Sequence, residues 1–373
     1  MKVKIDGQDY TGFTNLEFTR HFLNVVGEFT FTASPLDIVN ESYPLQAQQS
    51  CEITVEDTGV LSGFIEIIRV NSSSGEVKIS AQGRDKICDL VDSTVDRSIF
   101  GAFVGPTTLK TICEQVISKL GITNISVIDN VGSGDTTFNS GDYIVAQTGE
   151  SAFAFLERYA RKKQVLLATD GSGNLTIERG SSSILDAQIL NEFDSLNNNV
   201  VSSSSSIDIS KRFNKYITYS QYFNLFGNVD YDASSLTDAL TNSKGEATDS
   251  DIRATRQYVF LPDTPLVVDG GNNRALWEAN YKKAQSFAYE CELSEYTYDG
   301  TNIWPLNRLV KVIDDFANVN SYLLIDSVTF VQSLSGNYTK LRLIPQDSYN
   351  LIIKEDYRQE LAKSTGNAFF SGG

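Results

Sequence analysis

The chain is 373 residues long and 41% apolar, more than a single hydrophobic core usually serves, so two to four domains are expected. With 47 acidic against 31 basic residues, a net charge of −16, it is unsuited to gripping duplex nucleic acid by neutralising phosphates, although DNA can pass an acidic wall without sticking to it. No apolar run is long enough to cross a bilayer, and Met1-Lys2-Val3-Lys4-Ile5-Asp6 lacks the apolar stretch of a secretory signal, which predicts a chain that starts out cytoplasmic and soluble, with no stable membrane insertion.

Strand signals dominate the first third. Glu17-Phe18-Thr19-Arg20, Glu28-Phe29-Thr30-Phe31-Thr32 and Cys51-Glu52-Ile53-Thr54-Val55 alternate or carry the β-branched and aromatic residues that suit a half-buried pleated surface. Asp6-Gly7-Gln8-Asp9, Glu56-Asp57-Thr58-Gly59 and Ser72-Ser73-Ser74-Gly75 supply the turn chemistry between them, so a series of hairpins is predicted to about residue 84, in a barrel or sandwich.

The period then changes. Leu109, Ile112, Cys113, Val116, Ile117 and Leu120 recur at helical spacing between Pro106-Thr107 and Gly121, which predicts an amphipathic helix. A second helix is expected from about Glu150 to Lys163, with Phe153, Leu156, Tyr159 and Ala160 on one side, Thr148 as its cap and the basic end Arg161-Lys162-Lys163 matching the helix dipole. A hairpin follows, Val165–Thr169 and Asn174–Ile177, completing a small α/β module.

The run Ser202 to Ser206, flanked by Val200, Val201, Ile207 and Ile209, is read as a linker or loop joining two modules. Lys215–Ser220 alternates like a strand, and the polar, Asp/Ser-rich residues 227–256 suggest a long exposed loop. A third helix is predicted over about Asn273 to Ser286, then strands at Phe287–Leu293 and Leu309–Ile313, and a closing hairpin of Tyr322–Val331 with Tyr338–Ile344.

Little in the chain points to catalysis. Cys51, Cys88, Cys113 and Cys291 are too far apart in sequence for a Cys-x-x-Cys zinc or redox pair and read as buried free thiols. His21 is the one histidine; Arg20 and Phe22 beside it give it no acid or nucleophile, so it reads as structural. Asp170-Gly171-Ser172-Gly173-Asn174, with Glu178 beyond, misses calcium-loop spacing and reads as a hairpin turn. Asp249-Ser250-Asp251 has no phosphate-cradling glycine loop beside it and reads as polar loop. Asp314-Asp315 and Glu56-Asp57 are adjacent carboxylates that point to opposite faces on a strand, so neither straddles a glycosidic bond. No catalytic residue, cofactor or metal site is assigned. The 17 tyrosines and 21 phenylalanines suit core packing, a sugar platform or a permanent subunit interface.

Three stretches resemble the baseplate hub proteins of Mu-like contractile phage tails, related to the late-gene-D group of tail proteins. They are Asp6–Phe13 followed by Thr19-Arg20 and Val26–Phe29; Gly83-Arg84-Asp85-Lys86-Ile87-Cys88-Asp89-Leu90-Val91-Asp92; and Lys244–Asp251 with Asp299-Gly300 and Ile303–Asn307. The resemblance runs to about Pro345. The tail departs from it: Leu351 to Gly373 carries mixed charge and ends in Phe369-Phe370-Ser371-Gly372-Gly373.

The resemblance implies a mainly β (α+β) chain with two tail-tube-like β-barrel domains and an intervening small α/β module. The expected division is 1–90 for the first barrel domain, 91–185 for the module, 186–346 for the second barrel domain with its loop at 227–256, and 347–373 for a C-terminal tail. It further implies a non-enzymatic homotrimer, a ring adapting the sixfold tail tube to the threefold spike. The implied partners are the tail-tube protein, the central spike protein and other baseplate or tape-measure proteins, with no specific nucleic-acid binding. Its place would be the virion tail baseplate, assembled in the host cytoplasm. Two rivals stand beside this reading: a β-rich cell-wall carbohydrate-binding or glycoside-hydrolysing tail protein, and the tube protein itself.

Overall fold

The chain opens with the strands β1 (Lys2–Ile5), β2 (Gln8–Tyr10), β3 (Phe13–His21), β4 (Glu28–Ala33), β5 (Ser50–Val55), β6 (Thr58–Ser73) and β7 (Glu76–Asp85). Their period-two alternation buries Leu16 and Phe18, Phe29 and Phe31, and Cys51, Ile53 and Val55 on one face. Asp6-Gly7 and Glu56-Asp57 turn with positive φ at both residues (49° and 78°, 45° and 61°), the two-residue reversal whose twist matches antiparallel strands. The computed structural model describes residues 1–348 apart from 23, 34–44, 75, 96–102, 105, 140–142, 220–243, 262–269 and 347. Residues 227–243 of the expected long loop, and all of the expected tail except Ser348, thus lie outside the described residues.

The middle of the chain holds α1 (Cys88–Asp92), β8 (Phe103–Val104), β9 (Thr107–Thr108), α2 (Leu109–Lys119), β10 (Val127–Asp129), α3 (Ser133–Thr136), β11 (Thr137–Phe138), β12 (Tyr143–Ile144), α4 (Ala152–Lys162), β13 (Leu166–Thr169) and β14 (Leu175–Glu178). The Thr108 hydroxyl caps α2 by accepting from the Thr111 N–H. α4 starts later than its sequence pattern suggests, and its cap is Ser151, which accepts from the Ala154 N–H. Thr148 is held outside the helix in a turn closed by Gln147 and Glu150, while Glu150 is ion-paired to Arg158. The buried stripe is accordingly Ala152, Phe155, Leu156, Tyr159 and Ala160, with Phe153 only half-buried. These helices and the β10-β14-β13 sheet enclose a hydrophobic core of their own.

The remainder holds β15 (Ile184–Asn191), β16 (Val200–Ile207), β17 (Lys215–Tyr219), β18 (Lys244–Thr248), β19 (Gln257–Phe260), α5 (Gly270–Gln285), β20 (Phe287–Leu293), β21 (Leu309–Asp314), β22 (Val319–Ser333) and β23 (Gly336–Pro345). Two expectations are corrected here. The serine run is a strand, not a linker: β16 forms an antiparallel ladder with β20 from Val200↔Leu293 to Ile207↔Phe287. β20 anchors it by burying Phe287, Tyr289, Cys291 and Leu293, and a ladder of backbone bonds needs nothing from the serine side chains. Part of the expected exposed loop is also strand, since Lys244–Thr248 pairs with β17 and α5 packs against that small sheet.

Among the described residues thirteen strands form one sheet, in the order β16-β20-β23-β22-β3-β4-β7-β6-β5-β1-β2, with β21 and β15 branching from β22. The fold is therefore mainly β, and its two β-rich regions share one apolar core. Within the sheet a four-strand unit occurs twice, as β3-β4-β7-β6 and as β16-β20-β23-β22. The row Phe29↔Gly83↔Ile65 of the first corresponds to Tyr289↔Leu343↔Ile325 of the second. Each unit ends on a long strand with a bulge, between Ile65 and Ile67 in β6 and between Ile325 and Ser327 in β22. Before its bulge each long strand pairs with a short strand, β5 or β21. A bulge bends a strand and frees its edge for another neighbour. Past the bulge β22 takes β3, from Ser327↔His21 to Gln332↔Leu16, and this joins the two units.

Candidate assembly surface

One row of paired residues crosses the whole eight-strand run: Ser202, Glu292, Lys340, Thr329, Thr19, Glu28, Arg84 and Phe64. It lies on the face opposite the apolar core. Glu292 stands across from Lys340 and Glu28 across from Arg84, and the hydroxyls of Thr19 and Thr329 are 2.8 Å apart; such cross-strand pairs stabilise a sheet locally. Arg84 also holds both Glu66 oxygens, at 2.6 and 2.7 Å. Arg342 is bound to Asp326 and lies near Glu290. This face is rich in hydroxyls, and its Arg84, Lys340 and Arg342 each stand against carboxylates.

Two edges of the run lack a ladder partner among the described residues. One is the outer edge of β16, which meets β15 through the Asn199 N–H to Leu190 carbonyl bond and side-chain contacts such as Asn191 to Ser203. The other is the outer edge of β6 past its bulge, since β5 reaches only to Phe64. Apolar side chains stand exposed at both, with Val201 63% and Ile207 67% accessible on β16 and Val70 56% on β6. Bare edges of this kind are pairing templates that soluble monomers usually blunt with lysine, proline or a bulge; β16 contains no charged residue and no proline. Phe193 and Phe316, ring centroids 4.4 Å apart and both largely exposed, add an apolar knob at the β15–β16 and β21–β22 turns. The uncharged serine run between apolar flanks was the sequence signal for the first edge.

The carboxylates and the histidine singled out in the sequence are engaged structurally. His21, at the end of β3, pairs across from Ser327, and burial holds its pKa below the ordinary value, with Asp326 opposing. Asp170 accepts from the Ser172 and Asn174 N–H groups and from the Asn174 side chain, closing the hairpin turn between β13 and β14. The Asp249 side chain is buried and accepts from Arg212 Nε and Nη2 at 2.9 and 2.7 Å, while Asp251 binds Arg212 and Lys283 of α5, both at 3.2 Å. Asp314 accepts from Asn191, Ser203, Tyr289 and the Ala317 N–H, and Asp315 from the Phe193 N–H. Asp57 sits in the β5–β6 turn and binds Lys2. The four cysteines are buried thiols. Among the described residues no cluster of His, Cys, Asp and Glu has the arrangement of a metal site.

Sequence reasoning did not single out Asp85, in the Gly83–Asp92 stretch. Its carboxylate accepts from the Gly27 and Ile87 N–H groups, at 2.8 and 3.1 Å, and so ties the β3–β4 loop to the start of α1. Burial raises its pKa to about 7 against those bonds. The α/β module is further held to the sheet by Arg20 Nη2, which donates to the Thr169 carbonyl, and by the close approach of Gly171 to the Gly59 carbonyl.

Residues 1–85 match the family model for the N-terminal domain of Mu phage baseplate assembly protein GpP-like proteins, and residues 87–179 that for the second domain of baseplate hub protein gp44-like proteins. Baseplate hub protein gp44 of Escherichia phage Mu is 26% identical over 359 residues, covering 95% of this chain and 90% of that protein. The 43 kDa tail protein of prophage MuSo2 from Shewanella oneidensis superposes with a TM-score of 0.76 at 25% identity, over 93% of this chain and 98% of that one. A tail protein from Neisseria meningitidis MC58 shares the fold, with a TM-score of 0.74 at 17% identity over 92% and 95% of the two chains. By its two leading domains and its full-length similarity to a phage Mu hub, the chain resembles the Mu-like baseplate hub proteins.

Proposed function

We propose that this baseplate hub protein acts as a non-enzymatic homotrimeric ring that adapts the sixfold tail tube to the threefold spike. The observation that carries this reading is the repeated four-strand unit: each chain presents it twice, side by side in one sheet, so three chains present six similar units on one side while remaining threefold on the other. The tube protein would stack on the pseudo-sixfold side and the spike on the threefold side, at the baseplate of the virion tail, after assembly in the host cytoplasm. The carboxylates that a glycoside hydrolase would need are instead committed to Arg212, to the Asp314 cluster and to turns, which favours a structural role over cell-wall hydrolysis. The polar face of the eight-strand run lines the channel in this reading, and its hydroxyls and carboxylate-paired cations let DNA slide past. Light scattering of the purified protein at high concentration tests the reading: three chain masses are expected, and a persistent monomer counts against it. Peptidoglycan release by the same sample would overturn the non-enzymatic part.

A further inference from the structure

The joint that fuses the two four-strand units inside the chain specifies how one copy would join the next. In β22 the edge freed by the bulge is taken by β3, the first strand of the other unit. In β6 the matching edge, freed by the matching bulge, has no ladder partner among the described residues. The strand that corresponds to β3 in the second unit is β16, whose outer edge likewise has no ladder partner among the described residues. We infer that β6 past its bulge pairs with β16 of a second copy, antiparallel and in the register of the β22–β3 joint.

The correspondence fixes that register residue by residue. Ser327 of β22 matches Ile67 of β6, because each follows the bulge and faces Arg342 or Gln82 on the next strand. Phe18 of β3 matches Ser205 of β16, because they face Phe29 and Tyr289, the matching residues of β4 and β20. The internal pairs Val328↔Arg20, Phe330↔Phe18 and Val331↔Glu17 thus translate into Ile68 against Ile207, Val70 against Ser205 and Asn71 against Ser204 of the second copy. Ile207 and Val70, both more than half exposed in the single chain, are covered by this pairing.

Direction and face agree independently. Adjacent strands are antiparallel throughout the run of eight, and with an even number the two end strands run in opposite senses. A neighbour related by rotation about an axis along the strands therefore continues the alternation without a parallel pair. Asn71 and Ser204 both lie on the polar face, since Asn71 shares a row with Lys78 and Ser204 with Glu290, so the faces remain aligned across the joint. The contact is heterologous, one edge against a different edge, which is the arrangement that closes into a ring when the rotation allows.

This register rests on the ring reading, and the experiment separates the two. Asn71→Cys and Ser204→Cys are introduced singly and together into the full chain, whose own cysteines are buried, and mild oxidation is followed by non-reducing electrophoresis, with light scattering alongside. Directly opposed residues are within disulfide reach and those two positions further along are not. The double variant should form a cross-linked ladder ending at three chains, and the two single variants should give a covalent dimer only when mixed. Asn71→Cys combined with Ser206→Cys should stay largely uncross-linked. An oligomer by light scattering that cross-links off register, or not at all, overturns the register and leaves the ring. A monomer by light scattering overturns both. Self-cross-linking of Asn71→Cys alone would show a twofold pairing and overturn the heterologous joint.

Discussion

Arg212→Met tests whether Asp249-Ser250-Asp251 is a structural tie or a cation site. Arg212 and Asp249 are 4% and 8% accessible at their side chains, and two guanidinium nitrogens bind one Asp249 oxygen. Asn214 binds the Asp249 and Ile252 carbonyls, so the aspartate cannot swing out to water without breaking the turn that leads from β18 to β19. Removing the arginine leaves a buried carboxylate without its partner, which costs about 3–5 kcal/mol. Asp251 keeps Lys283, which places the expected value toward the lower end. Urea denaturation followed by circular dichroism, with hydrogen exchange read at α5, should show this loss concentrated in α5 and the β17-β18-β19 sheet. Arg212→Met combined with Asp249→Leu should recover most of it, because an apolar pair of similar volume replaces a buried ion pair at little cost. A single variant within about 1 kcal/mol of the parent, or a double variant no better than the single, refutes the tie. A rise in melting temperature of the parent protein with added calcium or magnesium would favour the cation site.

Gly83→Ala should destabilise the sheet by about 1–3 kcal/mol or more, because the new methyl would lie 2.1 Å from the Phe64 carbonyl oxygen and 2.4 Å from the Phe29 ring. Adding Phe29→Leu should relieve only the ring contact, so incomplete rescue in thermal denaturation is expected, and an unchanged melting temperature would contradict the packing described. Asp314 predicts a pH dependence. Burial pushes its carboxyl up, but bonds from Asn191, the Ala317 N–H, Tyr289 and Ser203 outweigh this and hold it below the ordinary range. Its ionised form is thus favoured in the folded state, a contribution fully present above the ordinary carboxylate pKa and lost as pH falls below it. Asp314→Asn should cost about 1–3 kcal/mol at neutral pH and flatten the acid limb of a melting-temperature profile below about pH 4; an equally steep limb in the variant would refute that assignment.

Elements with their own signal were legible in the sequence. α2 carried its apolar stripe, and the closing hairpin its alternation. The start of α4 was missed because Thr148 and Ser151 are both good caps, and the choice rests on the Glu150–Arg158 ion pair, which sequence order does not reveal. β16 was missed because a serine run resembles a linker, while its ladder partner β20 lies some eighty residues further along the chain. Asp249 was read as exposed because its partner Arg212 precedes β17 and the residues between them gave no sign of the pairing. The repeated unit was implied by the resemblance, as two barrel domains, and not by the residues themselves: Gly83 stands where the other unit has Leu343, and Phe29 where it has Tyr289, so the two share backbone pairing without sharing side chains.

The β22–β3 joint has a mechanical consequence. The two units are not beads on a tether but planks laid edge to edge, with six residue pairs from Ser327↔His21 to Gln332↔Leu16 between them. A pull along the strands loads those bonds together, in shear, instead of opening them one after another as peeling would. A torque on one unit must likewise bend the shared strand β22 before it can turn the other. A body built this way carries an axial thrust from one unit to the other with little change of shape.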